Sequence, residues 1–165
     1  MPCAAISLSV SRALICSVIL LSSQPQNRHS LTCINAAKKE KPDAVLIAGD
    51  IYDKAAPSGD AFDLFNDFLV EFSQIDPQIP VLIISGNHDS NLRLNYASSF
   101  IEKDKIYIAA TLPTEQSEHL KKIEIEDEDG KVNFYLLPFT KPADAKNLLG
   151  EECNIRTYDD AVAGN

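Results

Sequence analysis

Two apolar runs restrict the fold of this chain more than any other feature: Ala44-Val-Leu-Ile-Ala48 and Val81-Leu-Ile-Ile84. Each has the length of a β-strand, and each leads through a glycine into polar residues, Gly49-Asp50-Ile-Tyr-Asp53 and Gly86-Asn87-His88-Asp89. A parallel strand buried by helices on both faces of its sheet reads as such a continuous run. Between the runs, Pro57-Ser58 offers a helix cap with Asp60 in the first turn. Phe62, Phe65, Leu69 and Phe72 then form one apolar stripe, widened by Leu64 and Phe68, as core-facing residues of a helix do. A strand, a helix and a second strand make a parallel pair, so the expected class is α/β. Open α/β sheets bind ligands at the carboxyl ends of their strands. Asp50, Asn87 and His88 are therefore expected to meet at one sheet edge.

Those residue types suit phosphate chemistry assisted by metal. Gly49 and Gly86 let the backbone turn sharply where each strand ends. Carboxylate and amide oxygens suit Mn²⁺ or Mg²⁺, and imidazole suits transition metals. Asp50 is able to bridge two ions, and Asn87 to serve one without adding charge. His88, free of metal, has the chemistry to donate to a phosphate oxygen or a leaving group. The same tetrads are also ordinary turn formers. Their joint occurrence at the ends of two strands favours the site. Asp53 either braces its loop or supports the crevice, and Asp89, Gly49 and Gly86 fall with it among the supporting or structural positions. Arg93 reads first as a solvated helical charge and second as a group turned back toward phosphate.

The two tetrads resemble signature motifs of the calcineurin-like metallophosphoesterases. The surrounding residues resemble the SbcD-type nuclease branch of that superfamily: Glu40-Lys-Pro-Asp-Ala-Val45, Ala56-Pro57-Ser58, Asp89-Ser90, Arg93-Leu94 and Leu136-Leu-Pro-Phe-Thr-Lys-Pro142. The similarity runs from Leu31 to the C-terminus. It implies a partial metallophosphoesterase sandwich, a mixed sheet covered by helices. It also implies two Mn²⁺ ions (or Mg²⁺), with Asp50 bridging them, Asn87 on the second, and His88 catalytic at the phosphate without binding metal. The activity implied is endonuclease and 3′-5′ exonuclease cleavage of DNA ends and hairpins with an SbcC-type ATPase subunit, in DNA recombination and replication. The setting implied is cytoplasmic, with no membrane.

The chain departs from that pattern at both ends. The family's first strand ends in Asp-x-His, yet no Asp precedes Asp43 here and His29 has no Asp two residues before it. Downstream, the family carries a further His and then Gly-His-x-His, whereas His119 is the only histidine after His88. The expectation is an incomplete nuclease domain over residues 31–165 with little or no activity. Asp50, Asn87 and His88 would look the same in an enzyme acting on another phosphoester, and a non-enzymatic gene remnant stays open.

Residues 1–30 are an atypical leader. They carry Arg12 and Arg28 but no Lys, Asp or Glu, in a chain of net charge −9. The apolar run Ala13–Leu21 is too short to span a bilayer. A signal-peptide core, a strand of the core, and non-native sequence from a shifted frame all fit, and the abrupt change of composition favours the last. Hydrophobic residues make up 45% of the 165, enough for a real core in one domain. A pI near 4.7 argues against a broad basic surface for gripping DNA and leaves metal or a local patch to hold phosphate. The four cysteines are far apart with no C-x-x-C, so neither a zinc knuckle nor a disulfide framework is expected and reduced thiols are.

Elsewhere, Leu31–Lys41 reads as the end of a helix stopped by Pro42. Ser90–Asp104 reads as one helix with Leu92, Leu94, Phe100 and Ile101 available for burial. Ile106–Ala109 suits a strand, and Asp129-Gly130 the turn of a hairpin. The acidic run Glu124–Asp129 lacks EF-hand spacing and is expected to be solvated. Pro142–Leu149 suits a helix closed by Gly150, and Thr157 opens another.

Overall fold

The computed structural model describes residues 4–6, 13–16, 28–96, 98–115, 118–150 and 155–163. Its elements in order are β1 (Ala4–Ile6), β2 (Ala13–Cys16), α1 (Arg28–Glu40), β3 (Ala44–Ala48), α2 (Gly59–Ser73) and β4 (Val81–Ile84). After β4 come α3 (Asn91–Leu94), α4 (Ser98–Ile101), a 3₁₀ turn over Glu102–Asp104, and β5 (Ile106–Ala109). The chain continues through β6 (Lys121–Asp127), β7 (Gly130–Leu136), α5 (Pro142–Leu149) and α6 (Tyr158–Ala163). Strands β1 to β5 lie side by side in sequence order, β1 antiparallel to β2 and all the others parallel. This is a mixed α/β sheet.

The period of two in the strands decides what each face meets. Val45, Ile47, Val81, Ile83, Ile106 and Ile108 are buried with Cys33, Ile34 and Ala37 of α1 and Phe65, Phe68 and Phe72 of α2. The intervening residues Leu46, Leu82, Ile84, Tyr107 and Ala109 meet Ile123, Ile125, Phe134 and Leu136 of the β6–β7 hairpin. The expectation of helices on both faces is corrected here: helices cover one face and the hairpin covers the other. The hairpin turn is held by Asp127 Oδ1, which accepts from the N–H groups of Asp129 and Gly130 at 2.9 and 3.0 Å.

Helix α2 is capped by Ser58, whose Oγ accepts from Ala61 N–H. Its buried residues are Ala61, Phe65, Phe68 and Phe72, while Phe62 stays 40% exposed. The buried stripe is thus rotated from the one that spacing alone suggests. Phe62 leans on Tyr52 instead, with ring centroids 5.3 Å apart, and Phe65–Phe68–Phe72 continue the aromatic row inward.

Two expectations change. Ser90–Asp104 is not one helix but two short helices and a 3₁₀ turn. Of its four apolar candidates only Leu94 is fully buried, Ile101 is partly buried, and Leu92 and Phe100 are 81% and 78% exposed. The thiols also differ: Cys16 of β2 and Cys33 of α1 form a disulfide, with Cα atoms 6.2 Å apart. They stand 17 positions apart in sequence, and only the packing of α1 on β2 brings them together, which spacing could not reveal. Within the leader, Ala13–Cys16 pairs in parallel with Ala44–Ile47 and is mostly buried. His29 falls in the first turn of α1. No helix among the described residues is long and apolar enough to cross a membrane.

Phe68 is 2% exposed between Phe65 and Phe72. Its replacement by alanine should destabilise the chain by about 3–5 kcal/mol, the usual cost of an emptied aromatic site. Urea unfolding followed by circular dichroism measures this, and a loss below about 1 kcal/mol would show that α2 does not anchor the core.

Candidate active site

Strands β3 and β4 are adjacent and parallel, with Ala48 opposite Ile84. Their carboxyl ends therefore release Gly49-Asp50 and Gly86-Asn87 at the same edge of the sheet. The two turns touch. Gly49 has φ +82, and a Cβ placed on it would stand 2.9 Å from the Gly86 Cα. A Cβ on Gly86 would stand 2.2 Å from both the backbone nitrogen and Oδ1 of Asp50. Only a hydrogen at each position allows this approach. Asp50 itself is left-handed, at φ +50. Asp tolerates that region better than most residues, but still at a cost.

The approach brings the expected residues together. Asp50 Oδ1 accepts from the backbone N–H of His88 at 3.2 Å, so Asp50, Asn87 and His88 share the crevice. Asn87 and His88 are exposed and Asp50 is partly so. The imidazole Nδ1 lies 2.9 Å from the carbonyl oxygen of Asp53. A carbonyl only accepts, so Nδ1 carries the proton in this contact, and a neutral ring then keeps its lone pair on Nε2.

Asp89 turns out to be the brace of the site. It is 8% exposed, its Oδ2 accepts from Gly86 N–H at 2.8 Å and Ile51 N–H at 3.1 Å, and its Oδ1 accepts from Tyr52 N–H at 2.9 Å. One carboxylate thus satisfies donors of both turns. Its place after Asn-His was the signal for that role, but two of its three partners lie 37 and 38 positions away in sequence. Asp53 lends its backbone to His88, while its own Oδ1 is buried without a hydrogen-bond partner. Arg93 follows neither simple reading: Nη1 donates to the carbonyl of Ala55.

The family's metal pair finds only part of a shell in these residues. Asp50 and Asn87 offer one carboxylate and one amide oxygen, against the six oxygens that Mn²⁺ or Mg²⁺ prefers. Among the described residues no three His, Cys, Asp or Glu side chains group in a way that could hold an ion. The donor set therefore suits one corner of a metal site and does not fit two ions by itself. His119, the remaining downstream imidazole, is exposed beyond β5 with Glu118.

Gly-Asp and Gly-Asn-His-Asp turns are thus pressed together at the carboxyl edge of parallel strands β3 and β4. Residues 24–157 match the calcineurin-like phosphoesterase family, and the chain belongs to it. Among individual proteins, it is 36% identical over 125 residues, 76% of its length, to the SbcD component of the nuclease SbcCD from Staphylococcus epidermidis. It is 40% identical over 129 residues, 78% of its length, to the SbcD component of the same nuclease from Staphylococcus saprophyticus. The matched regions make up 31% and 32% of those proteins, so the chain spans about a third of the curated relatives it matches.

Two outcomes check this geometry. Asp89→Asn leaves one acceptor oxygen for three donors and should cost about 3 kcal/mol, because hydrogen bonds to a charged group contribute about 1.5–3 kcal/mol each. An unchanged urea midpoint would refute the bracing role. Tyr52, 2% exposed, supplies a second test. Burial, aided by the Asp89 carboxylate, pushes its phenol far above the ordinary 10.0. The unfolded phenol ionises first, so stability from this group is whole below pH 10 and falls as pH rises above it. Stability measured in an alkaline pH series should fall less steeply in Tyr52→Phe; equal slopes would contradict it.

Proposed function

We propose that this chain carries the Asp50, Asn87 and His88 portion of an SbcD-type nuclease site that hydrolyses DNA phosphodiesters. The observation that supports it best is the contact between the two turns, with Asp50 Oδ1 on the His88 N–H and the His88 imidazole on the Asp53 carbonyl. In this reading Asp50 and Asn87 hold part of a divalent-metal centre, Mn²⁺ by resemblance, that would activate water and stabilise charge at phosphorus. His88 acts at the phosphate or leaving oxygen through its outward nitrogen and binds no metal. Asp89, Gly49 and Gly86 keep the turns in contact, and Asp53 holds the imidazole.

The partners in this reading are DNA and an SbcC-type ATPase, the roles DNA recombination and replication, and the setting cytoplasmic. The Cys16–Cys33 pairing argues against that setting, since such bonds persist mainly in oxidising compartments. The DNA reading takes precedence because it rests on two motifs and on the named relatives. A phosphoesterase for another substrate would use the same three residues, and the experiment separates the two.

Residues 31–150 are grafted in place of the matching third of the S. epidermidis SbcD protein. The chimera should cleave a labelled DNA hairpin with Mn²⁺ and lose at least ~100-fold on Asp50→Asn, given the weight of metal-assisted charge stabilisation. Hydrolysis of a chromogenic phosphodiester without hairpin cleavage would replace the DNA reading with the broader one. The ungrafted chain, with one carboxylate and one amide to offer, should show neither tight Mn²⁺ binding by calorimetry nor cleavage. Stoichiometric binding of two ions would overturn the incomplete-shell reading.

A further inference from the structure

The segment after β4 is laced onto the loop after β3 at successive points. The Asp89 carboxylate holds the N–H groups of Ile51 and Tyr52, His88 Nδ1 meets the Asp53 carbonyl, and Arg93 Nη1 donates to the Ala55 carbonyl. Asp53 therefore sits between two anchors, Asp89 on its upstream side and Arg93 on its downstream side. Its own Oδ1 does not hold it there, since that oxygen is buried without a hydrogen-bond partner. The upstream anchor is buried, but it ends at Tyr52. Past that residue the loop is exposed from Lys54 to Ala56, and Arg93 is the tie that reaches it.

The position of the Asp53 carbonyl has a chemical consequence. A neutral imidazole carries one proton, and the partner of one nitrogen decides which nitrogen bears it. With the carbonyl 2.9 Å from Nδ1 the proton belongs there, and Nε2 is left with a lone pair. If the carbonyl moves away, the proton divides between the two nitrogens. Arg93 touches neither the imidazole nor the metal-site donors, so whatever it does for His88 passes through the loop.

We infer that Arg93 is a positioning residue for His88: by holding the Ala55 carbonyl it keeps the Asp53 carbonyl on Nδ1 and so selects the imidazole form that presents a free Nε2. Its importance for turnover rests on the reading of His88 as the group that acts at phosphate. The effect on the ring itself does not.

The test is a long-range ¹H–¹⁵N correlation on the whole chain with labelled histidine, which reports the proton on each ring nitrogen. His29→Gln and His119→Gln leave His88 as the one imidazole of the three. The form protonated on Nδ1 should dominate. In Arg93→Ala the form protonated on Nε2 should rise to at least equal it, and in Arg93→Lys, which keeps one charged donor, Nδ1 protonation should return. Identical tautomer ratios with Arg93 and Ala, or dominance of the Nε2-protonated form in the parent, would overturn the inference. Should the backbone amide spectrum show that Arg93→Ala does not fold, Arg93→Lys decides: dominant Nδ1 protonation supports the role and an even mixture overturns it. No hydrolysis is read, so a chimera that fails to cut DNA removes the nuclease reading alone.

Discussion

The Asp89 carboxylate is the interaction on which the site depends. It accepts three backbone N–H groups, one from the turn after β4 and two from the loop after β3. Hydrogen bonds to a charged acceptor are short and about twice as strong as neutral ones. Here they also remove a problem, because N–H groups freed where strands end are costly if buried unpaired. One side chain closes the ends of two strands and holds them against each other. Without it, the crevice would have no fixed floor, and the parallel pairing of β3 and β4 would set only the approximate position of Asp50.

What that brace holds together is a strained and crowded turn. Gly49 and Asp50 are both left-handed, at φ +82 and +50, and the Gly86 backbone presses against them. Left-handed non-glycine residues cost about 1–3 kcal/mol and persist where surrounding contacts over-determine them. The bend aims the Asp50 carboxylate back over the sheet edge, where the His88 N–H reaches it. In the same loop the Asp53 Oδ1 is buried and unsatisfied. The loop thus concentrates its unfavourable terms beside Asp50 and His88, a pattern that functional sites often show.

Much of this was readable from the residues. Continuous apolar runs identified β3 and β4, and the interposed aromatic period identified α2, so the parallel arrangement and the shared edge followed. The hairpin and α5 were legible because Asp129-Gly130 and Gly150 meet backbone requirements that local sequence states plainly. The hairpin's place on the second sheet face was not legible, because alternating residues announce one buried side without naming what they cover. The break of the Ser90–Asp104 segment was hidden for a similar reason: Leu92 and Phe100 have the spacing of core residues, yet they are exposed. The pairing of Cys16 with Cys33 and the reach of Arg93 to Ala55 are products of packing between distant segments. Asp50, Asn87 and His88 could be named from the motifs, but the lacing that orients them belongs to the folded chain.

The lacing also bears on how the chain acquires its shape during synthesis. The ties that lace the two turns together join residues between Gly49 and Arg93, the stretch that runs from the end of β3 through α2 and β4 into α3. Domains emerge from the ribosome N-terminal part first, and contacts of short sequence separation close fastest. The crevice ties are thus local in the nascent chain, and their residues have all emerged from the ribosome before β5 does.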